Sequence, residues 1–376
     1  MNKPQLSLAV DFSDEQAMLL DTATEFFRDK SPISYVREQL TTEIGFEQSL
    51  WREMVTLGWL GLAVPESYGG SGLGLAEAVT IAEPMGRCLF NSPFQSCQMA
   101  VQALLAGGNE QQRGRWLPRL AEGSIASIAV IERAGDWSLL RPGCNGIRAG
   151  ERIVLSGVKT FAVDANVAEL IIVSIDFEGE PALVLLESAV LPEGALTREV
   201  VIDETRRSFR LDLDGIEVID TDLIASNAAL AALTAIRDTA LLLITAEACG
   251  GTAGVLDIVV EYLNTRTQFG RKIGGYQALK HPTVDILIGL ERARSHLYHA
   301  ASVLGDTRHA EVALRMAKAH GSDAFAYAGD RAIQFHGAFG FTYECDAQLF
   351  LRRALWCQYQ FGDALHHRKH LAGLLF

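Results

Sequence analysis

The residue types that most often carry chemistry are thinly spread along this chain, and their spacing excludes more than it assigns. The six cysteines, Cys88, Cys97, Cys144, Cys249, Cys345 and Cys357, include no C-x-x-C pair, so they form neither a zinc site nor a disulfide framework. They read as reduced, mostly buried thiols. No G-x-S-x-G elbow and no H-E-x-x-H segment occurs, which leaves hydrolase chemistry without its usual devices. The densest glycine cluster, Gly69, Gly70, Gly72 and Gly74, lacks the G-x-G-x-x-G pattern and follows a helical segment rather than a strand. It reads as a turn, with a loop shaping a ligand groove as the alternative. Forty-six acidic against 33 basic residues give a formal charge of −13, a field that repels phosphate backbones and argues against nucleic acid as a partner.

The elements that must position any site fall into three blocks. Apolar residues recur at threes and fours in DEQAMLLDTATEFFRD, FEQSLWREMVTLGWLGL and EAVTIAEPMGRCLF, which predicts an N-terminal helical domain over 1–122. Short period-two runs such as SIASIAVIE, ERIVLSGVKTFAV and PALVLLE, divided by turn residues, predict a small β domain over 123–225. From 226 to 376 the helical period returns in four long segments, as expected of an antiparallel four-helix bundle. The fold class is therefore α+β. The longest uncharged apolar candidate, Thr239 to Ala246, is short for a membrane helix, and the first residues, MNKPQLSLAVDFSDEQ, lack the apolar core of a secretory signal. A cytoplasmic chain with no membrane span is the expectation.

Three segments resemble the acyl-CoA dehydrogenase family. Leu57-Gly-Trp-Leu-Gly-Leu-Ala-Val-Pro-Glu-Ser-Tyr-Gly-Gly-Ser-Gly is similar to the family's LGxxGLxVPExYGGxG. Arg266-Thr-Gln-Phe-Gly-Arg-Lys-Ile-Gly-Gly-Tyr-Gln277 is similar to RxxFGxxIxxxQ, and Gln334-Phe-His-Gly-Ala-Phe-Gly-Phe-Thr-Tyr-Glu344 to QxxGGxGFTxE. The resemblance spans nearly the whole chain. It implies FAD as cofactor and oxidation of the α,β bond of an acyl-CoA thioester. In that reaction a carboxylate takes the α proton while the β hydrogen leaves as hydride to the flavin.

Carried over residue by residue, the resemblance implies an uneven site. The family's usual catalytic Glu falls on Phe361, and its alternative position, on the first bundle helix, falls on Ala240. Neither accepts a proton. The nearest carboxylates in sequence are Glu247 and Asp363, the two catalytic candidates; a paired helix carboxylate and a helix N-cap are their structural alternatives. The isoalloxazine-contacting segments correspond to Ala129–Asp136 and Lys159–Ala165, with Ile131, Phe161 and Val163 where the family has Thr, Trp and Ser or Thr. Each lost hydroxyl removes a hydrogen bond worth ~1 kcal/mol or more. The contacts that reach across a dimer interface to the ADP half of a neighbour's FAD are implied to be Arg266, Gln268, Phe269, Tyr276, Gln277, Gln334, Gly337 and Ala338.

Chance loss would erode both halves alike. The resulting expectation is one subunit of a hetero-oligomeric acyl-CoA dehydrogenase, α2β2, whose homologous partner supplies flavin cradle, substrate pocket and base. Split enzymes of this family often act on bulky CoA thioesters such as sterol side chains. The rival expectations are a self-sufficient homo-oligomer using Glu247 or Asp363, and a scaffold subunit without flavin.

Overall fold

The computed structural model describes residues 13–133, 135–137, 139–306 and 309–376. Its first block is helical: α1 (Asp14–Lys30), α2 (Ile33–Gln39), α3 (Gln48–Thr56), α4 (Leu75–Arg87), α5 (Phe94–Gly107) and α6 (Glu110–Ala121). Ser13 starts α1 with a capping box, its hydroxyl accepting from Gln16 N while Gln16 Oε1 accepts from Ser13 N. The glycine-rich loop before α4 folds on itself, Gly70 N and Gly72 N donating to the carbonyls of Pro65 and Val64. A Cβ at Gly70 would overlap the Val64 carbonyl, so the glycines serve a tight turn.

The middle block comprises β1 (Ala126–Ala129), β2 (Asn145–Ala149), β3 (Arg152–Ser156), β4 (Val158–Val163), β5 (Leu170–Phe177), β6 (Glu180–Glu187), β7 (Leu196–Arg198), β8 (Ser208–Asp212), β9 (Glu217–Val218) and β10 (Leu223–Ile224). The larger sheet runs β10-β6-β5-β2-β3-β9 with β1 parallel to β5, and a second sheet runs β4-β8-β7. Residues of both sheets share one apolar core that includes Ile153, Leu155, Ile171, Val173, Phe209 and Leu211.

The last block is α7 (Ser226–Thr265), the hairpin β11 (Thr267–Gln268) and β12 (Arg271–Lys272), α8 (Gln277–Ser302), α9 (Ala310–His336), α10 (Ala347–Tyr359) and α11 (Ala364–Leu375). The fourth apolar segment splits into α10 and α11 because Phe361 and Gly362 both take positive φ, 56° and 104°, which ends a helix. By length and composition α7 could cross a membrane, a possibility that a search for uncharged runs passes over. Here it is the central strut of the protein. It packs on α4, α5, α8, α9 and α10, and being apolar on all sides it is the helix that belongs in the middle. Its approach to α4 is backbone on backbone: a Cβ at Gly250 would overlap the Glu83 carbonyl, and one at Gly86 the Glu247 carbonyl.

Candidate cofactor and active sites

The end of α7, the β11–β12 hairpin, the start of α8 and the end of α9 converge on an open groove of about 920 Å³. Arg266, Gln268, Phe269, Tyr276, Gly337 and Ala338 all line it. Gln277 and Gln334 are exposed neighbours of lining residues and do not line it themselves. The path of the chain follows from local conformation. Arg266 leaves the helix in an extended conformation, Phe269 (φ 51°) and Gly270 (φ 78°) turn the hairpin, and Gly337 (φ 64°) ends α9. Phe269 is 91 % exposed, and the Arg271 guanidinium lies over the Tyr276 ring at 3.9 Å. The structure adds residues that motif matching passed over: Tyr262, His336 and Phe339 complete the wall. None of the lining residues is a carboxylate, in a chain of formal charge −13. One guanidinium, several aromatic faces and no anion suit a nucleotide diphosphate.

The two candidate bases are occupied elsewhere. Glu247 is 2 % exposed on α7. Its Oε2 accepts from Gln95 Nε2 at 2.8 Å, and its Oε1 is paired with both Arg206 and Arg353. Arg353, fully buried on α10, also pairs with Asp203 and donates to Thr205 Oγ1. Burial alone would push the Glu247 carboxyl up, but Arg206 and Arg353 hold it below the usual carboxylate range. It is an enclosed carboxylate held in ion pairs with two arginines. Asp363 is the N-cap of α11, accepting from His366 N at 2.8 Å. At the two family base positions, Ala240 is buried in the core and Phe361 sits in the turn between α10 and α11. The buried Lys318 ammonium fixes that turn by donating to the carbonyls of Cys357 (2.9 Å), Gln358 (3.2 Å) and Gly362 (2.9 Å).

The region corresponding to the isoalloxazine cradle is a separate slot of about 450 Å³ lined by Ile131, Phe161, Val201, Trp356 and Tyr359 among others. Phe161 has φ 54°, and its amide is already used, donating to Glu199 at 2.9 Å. Val163 is partly buried against the core and does not line the slot. Its side-chain lining is mostly alkyl and aromatic, with Gln360 and the Tyr359 hydroxyl as polar groups.

Just after β4, Asp164 is 1 % exposed with neither carboxylate oxygen hydrogen-bonded. Burial raises its pKa to about 7 despite the charges of Arg206, Arg207 and Arg353. An unfolded Asp ionises near ~4. Between those values the unfolded chain has released its proton and the native chain has not, so native stability falls as pH rises through that window. The cumulative loss is on the order of 4 kcal/mol by about pH 8. Asp164→Asn should remove this component, flattening the melting temperature between pH 5 and 8 relative to the parent and raising it at pH 8. An unchanged pH profile would show that Asp164 is ionised in the native state.

Sequence offered one signal for this buried charge cluster. Glu247 is the one charged residue between Asp238 and Asp257 in the apolar middle of α7, and such a charge requires partners. Nothing in the spacing of Arg206, Arg353 and Asp203 identified them.

Comparison with known proteins places the family and the fold. The family models for the acyl-CoA dehydrogenase N-terminal domain and C-terminal domain match residues 13–124 and 231–372. An acyl-CoA dehydrogenase of Mycobacterium tuberculosis, IpdE2, is 28 % identical over 91 % of each chain. A solved steroid acyl-CoA dehydrogenase, Tcur3481-Tcur3483, superposes with a TM-score of 0.87 at 27 % identity, covering 96 % of this chain and 97 % of that one. A chain of the ChsE4-ChsE5 complex from Mycobacterium tuberculosis has a TM-score of 0.88 at 22 % identity over 97 % and 98 %, which shows the shared fold.

Proposed function

Because the chain belongs to the acyl-CoA dehydrogenase family, we propose that it is one subunit of a hetero-oligomeric FAD-dependent dehydrogenase, α2β2, desaturating the α,β bond of an acyl-CoA thioester. This subunit contributes the ADP-binding half of a shared FAD site, and a homologous partner contributes the flavin cradle, the substrate pocket and the base. The observation that carries the reading is the contrast between two regions of one molecule. The groove around Arg266 presents a guanidinium and aromatic faces with no carboxylate in its lining, which supports a nucleotide diphosphate as its ligand. The slot around Ile131 and Phe161 is mostly alkyl and aromatic, with Gln360 and Tyr359 as its polar side chains, and the family's base positions hold Phe361 and Ala240. A sterol-derived acyl group is the proposed substrate class, since the Tcur3481-Tcur3483 relative is a steroid enzyme. The setting is cytoplasmic.

Bound FAD supplies the hydride acceptor. This chain's own residues would do the holding: Arg266 would meet the pyrophosphate, the small residues Gly337 and Ala338 would let the backbone approach it, and Phe269 and Tyr276 would offer apolar faces to the rest of the nucleotide. Arg266→Ala removes a charge-assisted contact worth about 1.5–3 kcal/mol. The complex should then hold FAD roughly tenfold or more weakly while both chains stay folded, as read by flavin fluorescence on dilution. Unchanged flavin affinity would return Arg266 to a solvated helix-end cation.

A further inference from the structure

One imidazole lines the groove. His336, the last residue of α9, stacks on Tyr262 with ring centroids 4.0 Å apart and an interplanar angle of 26°. Its Nδ1 lies 2.7 Å from Ala332 O. A carbonyl can only accept, so Nδ1 carries a hydrogen in both protonation states. The variable proton is therefore the one on Nε2, on a ring that lines the groove. With Nε2 bare the ring offers a lone pair; with Nε2 protonated it offers an N–H and a positive charge.

We propose that His336 is a proton-linked contact for the diphosphate of the dinucleotide: the imidazolium adds a second cation beside Arg266, and its deprotonation loosens the cofactor. This rests on the nucleotide reading of the groove and specifies how that site responds to pH. The surroundings are consistent from every side. Tyr262 and Arg266 face the groove from α7 and its end, Gln268 from β11, and Tyr276 from the start of α8, carrying the Arg271 guanidinium over its ring. On α9 itself the nearby Asp330 is paired with Arg331. Among the described residues no carboxylate lines the groove to hold the imidazolium in its own ion pair. The ring also closes the C-terminal end of a 27-residue helix, where the aligned carbonyls favour a cation. Histidine is the side chain suited to change charge between about pH 5 and 8. A dianionic ligand would strengthen that coupling, because binding and protonation favour one another equally.

The test uses the assembled complex purified with its partner, and FAD itself as the probe. Dissociation constants are read by flavin fluorescence from pH 5.5 to 8.5 for the parent, His336→Phe and Arg266→Ala. The parent should bind FAD about fivefold or more tightly at pH 6 than at pH 8. His336→Phe, which keeps an aromatic ring on Tyr262, should bind with the parent's high-pH affinity throughout. His336→Gln provides the same uncharged comparison should the phenyl variant fold poorly. A parent with no slope, or a slope that survives in the uncharged variants, overturns the proposal. Arg266→Ala separates the two levels of the argument: if it weakens FAD while the pH slope is independent of His336, only the proton linkage fails, whereas if it has no effect the nucleotide reading of the groove fails as well.

Discussion

Arg353→Met should destabilise this protein by about 3–5 kcal/mol, the cost of breaking a buried ion pair from one side. Arg353 is fully enclosed and serves Asp203, Glu247 and Thr205 together. Methionine fills much of the volume but leaves two buried carboxylates to be shared by Arg206 or to take up protons. Chemical denaturation at neutral pH measures the loss directly; a change under 1 kcal/mol would mean that the cluster is solvated in solution. The same cluster decides the catalytic question. Glu247→Gln should also lower stability, because the two arginines lose a charge. Turnover per folded complex should stay within a few fold. A general base normally contributes about 10²–10⁴ in rate. Asp363→Asn is the cleaner companion, since Asn caps a helix about as well as Asp, so both stability and turnover should hold. A loss of 10² or more in either variant, with FAD retained, would identify that carboxylate as the base and favour the self-sufficient dehydrogenase.

Much of the architecture was legible because periodicity reports which faces are buried. The change from the helical period to alternation and back is seen as the change from α6 to β1 and from β10 to α7. The break between α10 and α11 was less legible, since it depends on Phe361 taking a positive φ that its side chain does not advertise. The groove was partly legible. Arg266, Phe269 and Gly337 stand in short motifs whose spacing survives in a linear reading, whereas Tyr262 and His336 meet only when the ends of α7 and α9 are brought together. Glu247 shows the limit most clearly. Its position on a helix was readable, but its role depends on Arg206 and Arg353, 41 and 106 residues away in sequence, and only the fold joins them.

The shared site is tested most directly by counting flavin. In the proposed reading this chain's own slot, walled by Ile131 and Phe161, does not hold the flavin ring, while the Arg266 groove faces outward with Phe269 almost fully exposed. Each cofactor should therefore need one chain of each kind. Co-purification with the homologous partner, followed by flavin absorbance after denaturation against mass-determined subunit composition, should give one FAD per pair of unlike chains, and this chain purified alone should be colourless. One FAD per polypeptide, or a yellow and active preparation of this chain by itself, would contradict the account.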